Sequence, residues 1–148
     1  MSTSIRTQVR QAAVAALNAV PALAGRVFVD QEYVLQPNQL PCVVVTVSEN
    51  AQLEGAFSDG VERTVTVQVR ALAKATAGLS DALDAISFAA EGALVVGGLA
   101  VAGRAFWPDS FGAETPDVSA VGDQPVGELS MDFVFLIPTQ RAAPGQLA

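Results

Sequence analysis

The sequence predicts an α+β domain of two layers, in which two helices pack on a mixed, mostly antiparallel sheet of about five strands. Residues 60–72 alternate between apolar and polar side chains and are rich in valine and threonine, which is typical of a half-buried strand. Residues 128–137 alternate in the same way. Two other segments repeat apolar residues every three or four positions, as amphipathic helices do. The predicted order is α-β-β-β-α-β-β, in one domain of residues 1–148.

The first half of the chain contains one helix and three strands. Ser2, Thr3 or Ser4 can cap a helix that continues to about Asn18. A short strand is expected over residues 26–30, and a second, continuously apolar strand over 41–47. The strand over 60–72 follows and is expected at the centre of the sheet.

The second half is expected to contain one helix and two strands. The helix covers residues 79–95 with Ser80 as its N-cap, and the strands cover 99–107 and 128–137. Residues 111–125 are acidic and contain Gly and Pro, and they are predicted to form a long loop. Residues 139–148 have the composition of a loose tail.

The composition favours a protein that another protein chain covers in part. Hydrophobic residues make up 51% of the chain and charged residues 16%. Either the core is unusually rich in apolar residues, or a partner covers some of the apolar surface. The net charge is −7 and no Lys or Arg cluster is present, which argues against a protein that grips nucleic acid.

No set of side chains suitable for catalysis is recognisable. The chain has no histidine, and Cys42, its only cysteine, has no neighbour that would activate the thiol, so we expect a buried hydrophobic role in a reducing compartment. Asp81 and Asp84 are best explained as a solvated first helical turn. We therefore predict no enzyme activity, no cofactor and no metal site. The Ala-rich start is not expected to be a signal peptide, and no apolar run is long enough to cross a membrane.

A second predicted loop, residues 49–60, contains two apolar residues whose role is open. Leu53 and Phe57 can fold back on the core, or they can contact a neighbouring chain. A loop of this length is more often functional than a simple hairpin connection.

The order of these elements resembles the phage tail terminator family, the group around minor tail protein U of lambdoid phages. The similarity extends over about residues 4–139, and no motif in it is specific alone. It consists of the opening helix over 5–17, the Leu-Pro-Cys-Val-Val-Val entry at 40–45, the acidic loop, the strand over 63–71, the Ser-Asp-Ala-Leu-Asp-Ala helix start at 80–85, and Phe-Val-Phe at 133–135. The connection at 97–103 and the loop after Trp107 are longer than in the family.

The resemblance implies a homohexameric ring in the virion, at the head-proximal end of the tail. Such a ring stops polymerisation of the tail tube and presents a surface to the head–tail connector protein. Its partners would be itself, the tube protein and the connector, with no membrane and no specific nucleic-acid binding, although DNA passes through the ring. Leu53, Phe57 and Phe111 are then expected at the subunit or tube interface. Glu54 and Asp59 are expected to face the channel.

Two other functions remain open from the sequence. One is another neck or head–tail completion protein, or the terminator of a contractile tail. The other belongs to a different class: an acidic α+β small-molecule-binding or enzymatic domain of a bacterial host.

Overall fold

The computed structural model confirms the α+β fold with two helices on a mixed, mostly antiparallel sheet. It describes residues 3–29, 37–53, 60–74, 77–114, 116–121 and 124–148. The helices are α1 (Ile5–Asn18) and α2 (Leu79–Glu91), and a π-helical turn, Gly92–Val96, extends α2. The strands are β1 (Val27–Val29), β2 (Cys42–Leu53), β3 (Gly60–Lys74), β4 (Leu99–Val101), β5 (Arg104–Phe106), β6 (Ser110–Ala113), β7 (Asp117–Val121) and β8 (Gln124–Gln140).

In the described part of the chain, the main sheet has six strands. Its order is β1-β2-β3-β8-β6, and β7 pairs with the same side of β8 as β6 does. The pairing of β1 with β2 is parallel and the others are antiparallel. β3 is central, as predicted, because it pairs with β2 on one side and β8 on the other.

The core lies between one face of this sheet and the helices. Val65, Val67 and Val69 of β3 and the odd-numbered residues of β8 from Leu129 to Ile137 are buried there, which confirms the alternation that the sequence shows. α1 contributes four residues spaced four apart, namely Ile5, Val9, Ala13 and Leu17. Burying each large aliphatic side chain contributes about 1.5–3 kcal/mol, so this layer supplies much of the stability.

The two helices begin differently from each other. The Ser4 hydroxyl accepts a hydrogen bond from the Thr7 backbone N–H at 3.2 Å, so α1 has one of the predicted N-caps. At α2, the N-cap is Gly78 in the left-handed conformation with no side-chain hydrogen bond, so the prediction of Ser80 as the cap was wrong.

Three segments of the chain, two predicted loops and one predicted strand, have a different structure from the one predicted. β2 continues to Leu53, which pairs with Val61 of β3, because the segment that faces it is itself a strand. Only residues 54–59 of the predicted 49–60 loop are left, and they lie outside the described residues. The segment 99–107 is a small hairpin of β4 and β5. It turns at Ala102 and Gly103, both at positive φ (50° and 76°), as tight hairpins require.

The third difference is at 111–125, which forms strands rather than a loop. β6 and β7 run consecutively along the outer edge of β8. Ala113 pairs with Met131 but Asp117 pairs with Glu128, so the outer chain has one extra residue between the two pairs. This shift in register separates β6 from β7 along the same edge of β8.

The C-terminal segment packs on the domain rather than forming a loose tail. The Ala148 N–H donates to the carbonyl of Pro138 at 3.1 Å, and Leu147 lies against the core. The Gln8 side-chain amide donates to the Gly145 carbonyl at 2.8 Å, which joins this segment to α1.

Candidate functional site

The outer side of α2 exposes an aromatic residue between acidic ones. Leu83 and Ala90 point into the core and are fully buried, as an amphipathic helix requires. One turn after Asp84 on the outer side lies Phe88, with 78% of its side chain exposed. Such a residue gains nothing from folding of the monomer, and large exposed apolar groups often mark a contact surface.

The π-helical turn after α2 continues this apolar surface. Val96 is 79% exposed, and its carbonyl accepts a hydrogen bond at 3.4 Å from the indole Nε1–H of Trp107, which is 57% exposed. Gly98 makes this approach possible. It has φ +73°, and a Cβ atom there would come within 2.9 Å of Trp107 Nε1.

The outer edge strands add Phe111 and Val118. Phe111 pairs with Phe133, and their rings stack with centroids 5.1 Å apart. Val118 pairs with Gly127, where an added Cβ would collide with Leu79 at the start of α2. Residues paired across a ladder share a face, so both apolar side chains lie on the sheet face that the helices cover.

We call this region the α2–β6 surface and define it by five apolar and six acidic residues. Aromatic side chains surrounded by charged ones resemble the centre and rim of a protein–protein interface. Nothing in this arrangement provides a nucleophile with a base. Its members are Phe88, Val96, Trp107, Phe111 and Val118, with Asp81, Asp84, Glu91, Asp109, Glu114 and Asp117.

Of the predicted interface and channel residues, the structure places two. Phe111 lies on the α2–β6 surface, 41% exposed, although on an edge strand rather than in a loop. Leu53 is the last residue of β2 and pairs with Val61, so it belongs to a ladder. Phe57, Glu54 and Asp59 lie outside the described residues.

Sequence reasoning missed Phe88, Val96, Trp107 and Val118. The helical pattern identifies the buried stripe of α2, and Phe88 lies off that stripe, one turn from Asp84. That position in the sequence could have identified Phe88, because an aromatic residue on the polar side of a helix does not pack into the core. Trp107 and Val96 are brought together only by the tertiary fold.

The Cys42 thiol is buried and protonated at neutral pH. Desolvation raises its pKa from 9.0 to about 11, and the positive charges of Arg26 and Arg70 oppose this increase. Cys42 packs in a small cluster with Leu40, Val44, Leu72 and Val126 on the sheet face away from the helices. A thiol in this state is a poor nucleophile.

A polar network closes one end of the core. Arg63 Nε donates to Thr139 Oγ1 at 2.9 Å, and Arg63 Nη1 lies 3.3 Å from Glu49 Oε2. Thr139 is fully buried and its hydroxyl donates to the Val61 carbonyl at 3.3 Å. These groups satisfy one another, so their role is structural.

No family model matches the chain, and no curated protein matches it significantly. Within the described ranges, no group of three or more His, Cys, Asp or Glu side chains is placed to hold a metal ion. None of the described helices is long and apolar enough to cross a membrane.

Proposed function

We propose that this chain is a tail terminator of a bacteriophage. It forms a ring at the head-proximal end of the tail tube, stops tube polymerisation and offers a surface to the head–tail connector. The virion is its place of action, and the ring, the tube protein and the connector are its partners. The order of elements and the resemblance described above support this function.

One observation supports it most directly: several large apolar side chains lie exposed on α2, in the turn that follows it, after β5 and on the outer strand β7. Four side chains of the α2–β6 surface, Phe88, Val96, Trp107 and Val118, are each more than half exposed. Exposure of so many large apolar groups costs solubility in a monomer and is accounted for if another protein covers them. A structural assembly protein needs such a surface, whereas the enzyme alternative needs a reactive group.

The chemistry of Cys42 weakens the enzyme alternative further. Its pKa of about 11 leaves very little thiolate at neutral pH, and the side chain is fully buried. The chain has no other thiol and no histidine. A terminator of a contractile tail or a different neck protein would expose a similar surface, so these functions are separated by the partner that binds.

The test is assembly of the purified chain, alone and with a phage tail tube protein. Light scattering after size-exclusion chromatography should give a ring mass, which for six copies of 15.2 kDa is about 91 kDa. Negative-stain images should show rings, and added protein should shorten growing tubes and label one tube end. Rings that bind the connector but leave tube length unchanged would indicate a different neck protein. A chain that neither forms rings nor binds tubes would contradict the proposal.

A further inference from the structure

We propose that residues 141–148 form a releasable strap, which occupies the outer edge of β8 in the free chain and yields it to an extended segment of a partner protein. That segment pairs as a strand and carries an apolar side chain in the place of Leu147. The strap is therefore an autoinhibitory contact, because the edge is closed until the strap leaves. This device requires no ring and goes beyond the function proposed above.

The outer edge of β8, the side away from β3, extends beyond the strand β6 that pairs with it. β6 pairs with β8 only as far as Val134, whereas β8 continues to Gln140. On this side the Val134 carbonyl accepts a hydrogen bond from the Asp109 N–H at 2.7 Å. Backbone groups alternate sides along a strand, so Pro138 and Gln140 also direct theirs to the outer edge. An edge of this kind is a template for pairing with another strand.

The strap closes this edge by pairing as a short antiparallel strand. The Gln140 N–H donates to the Gln146 carbonyl at 3.0 Å. The Ala148 N–H donates to the Pro138 carbonyl at 3.1 Å. These two bonds flank Leu147, which forms an antiparallel bridge with β8. The chain therefore provides its own strand at a position where a strand from another protein can pair.

Polar side chains from two other elements hold the strap by its backbone. Gln8 of α1 donates through Nε2 to the Gly145 carbonyl at 2.8 Å. Arg104 of β5 donates through Nη1 to the Ala148 backbone oxygen at 3.1 Å. Both bonds end on backbone oxygens, which any extended segment can offer. The side chain of Leu147, which packs against the core, adds the demand for one apolar residue.

The strap is held weakly enough to leave without unfolding of the domain. Five of its eight residues are exposed and three are partly buried, so none of them belongs to the buried core. Leu147 is its one large apolar side chain. Segments with few buried apolar contacts and exposed backbone hydrogen bonds open locally, at a small fraction of the free energy of global unfolding. The strap can therefore open and close again in the folded protein.

The first test is native-state hydrogen exchange of the wild-type chain, followed by NMR for each residue. The Gln140 N–H reports on the strap, because Gln146 accepts its hydrogen bond. We expect its protection factor to be at least about tenfold lower than those of the slowest amides in the β3–β8 ladder. Its exchange should also be insensitive to low denaturant, since opening of the strap exposes little surface. If this amide exchanges only through global unfolding, the strap is a fixed part of the fold and the proposal fails.

The second test loosens the strap and offers the edge of β8 to a probe peptide. Leu147→Asp removes the apolar anchor in the full chain, and Gln146→Asp is the matched control, because the neighbouring Gln146 is exposed. The probe is a fluorescent peptide with the sequence of residues 142–148. We expect the Leu147→Asp chain to bind it at least about tenfold more tightly than wild type or Gln146→Asp, because an intact strap competes for the same edge. Fluorescence anisotropy measures the binding.

Three outcomes of the second test would contradict the proposal. If the folded Leu147→Asp chain binds no peptide although its Gln140 amide exchanges faster, the edge accepts no added strand. If all three chains bind the peptide equally, it binds somewhere other than under the strap. If a peptide that itself carries Leu147→Asp binds equally well, the edge does not select an apolar side chain. Thermal melting checks the fold of each variant, and should Leu147→Asp be unfolded, the exchange of the wild-type chain decides.

Discussion

The buried thiol of Cys42 should make the folded state less stable at alkaline pH. Below pH 9 it is protonated in both the folded and the unfolded chain. Between pH 9 and 11 the unfolded chain loses this proton and the folded chain keeps it, so the folded state loses stability as pH rises. We expect denaturant midpoints to fall over this range, with a smaller fall in Cys42→Ala. An equal fall in both proteins would show that the thiol is not the cause.

Val67 provides a second test at the scale of one residue. It is fully buried and pairs with Val47 and Phe133, so Val67→Asp places an unpaired charge in the core and should cost about 4 kcal/mol or more. Thr66→Asp is the matched control, because Thr66 is the next residue on the same strand and lies on the open face. Circular dichroism melting should show unfolding of the first variant and a folded second one. Equal melting temperatures would place Val67 outside the core.

The polar network of Arg63, Glu49 and Thr139 couples β2, β3 and β8. Arg63→Leu leaves Glu49 partly buried without its cation and should cost about 1–3 kcal/mol. Adding Glu49→Leu removes the unpaired carboxylate and should recover part of this loss. Urea midpoints of the two variants measure the difference, and a double variant less stable than the single one would contradict the assigned pairing.

At the scale of elements, the central strands and the edge strand β1 were predictable, whereas β6 and β7 on the other edge were not. Apolar and polar side chains alternate along β3 and β8 because one face of each strand lies under the helices. That alternation is visible in the sequence. β6 and β7 lie at the edge, where a strand can contain Gly112 and acidic residues and needs no apolar pattern. They are strands because they pair with β8, and no local sequence pattern shows that pairing. Half of the candidate surface, including Trp107 and Val96, is likewise produced by tertiary contacts.

The outer side of α2 can be tested as an element by removing its exposed aromatic ring. Phe88→Ser should leave the melting temperature nearly unchanged, since 78% of the side chain is already exposed, but should weaken assembly. Leu136→Ser is the matched control, because Leu136 is also exposed (40%) but lies on the sheet face away from the helices. Light scattering compares the two. Equal assembly of both variants would exclude α2 from the interface.

For the whole molecule, the net charge predicts whether the protein binds DNA. In the proposed ring, a net charge of −7 per chain would give a strong negative field, whereas clustered basic side chains would bind a passing genome. We expect no duplex DNA binding by fluorescence anisotropy even at ~10 mM salt, where screening extends over about 30 Å. Measurable binding would contradict this expectation. Whether Glu54 and Asp59 provide the channel charge is tested separately, by a structure of the ring.

The position of β8 in the sheet has a consequence for synthesis. β3 is paired along its whole length with β8, yet roughly 50 residues separate the end of β3 from the start of β8. At about 5–20 residues per second, the ribosome needs about 3–10 s to make them. During that interval the valine-rich β3 has one unpaired edge, which is a template for pairing with other nascent chains. In a cell that translates many copies at once, we therefore expect chaperones to be needed until the last strand of this chain emerges.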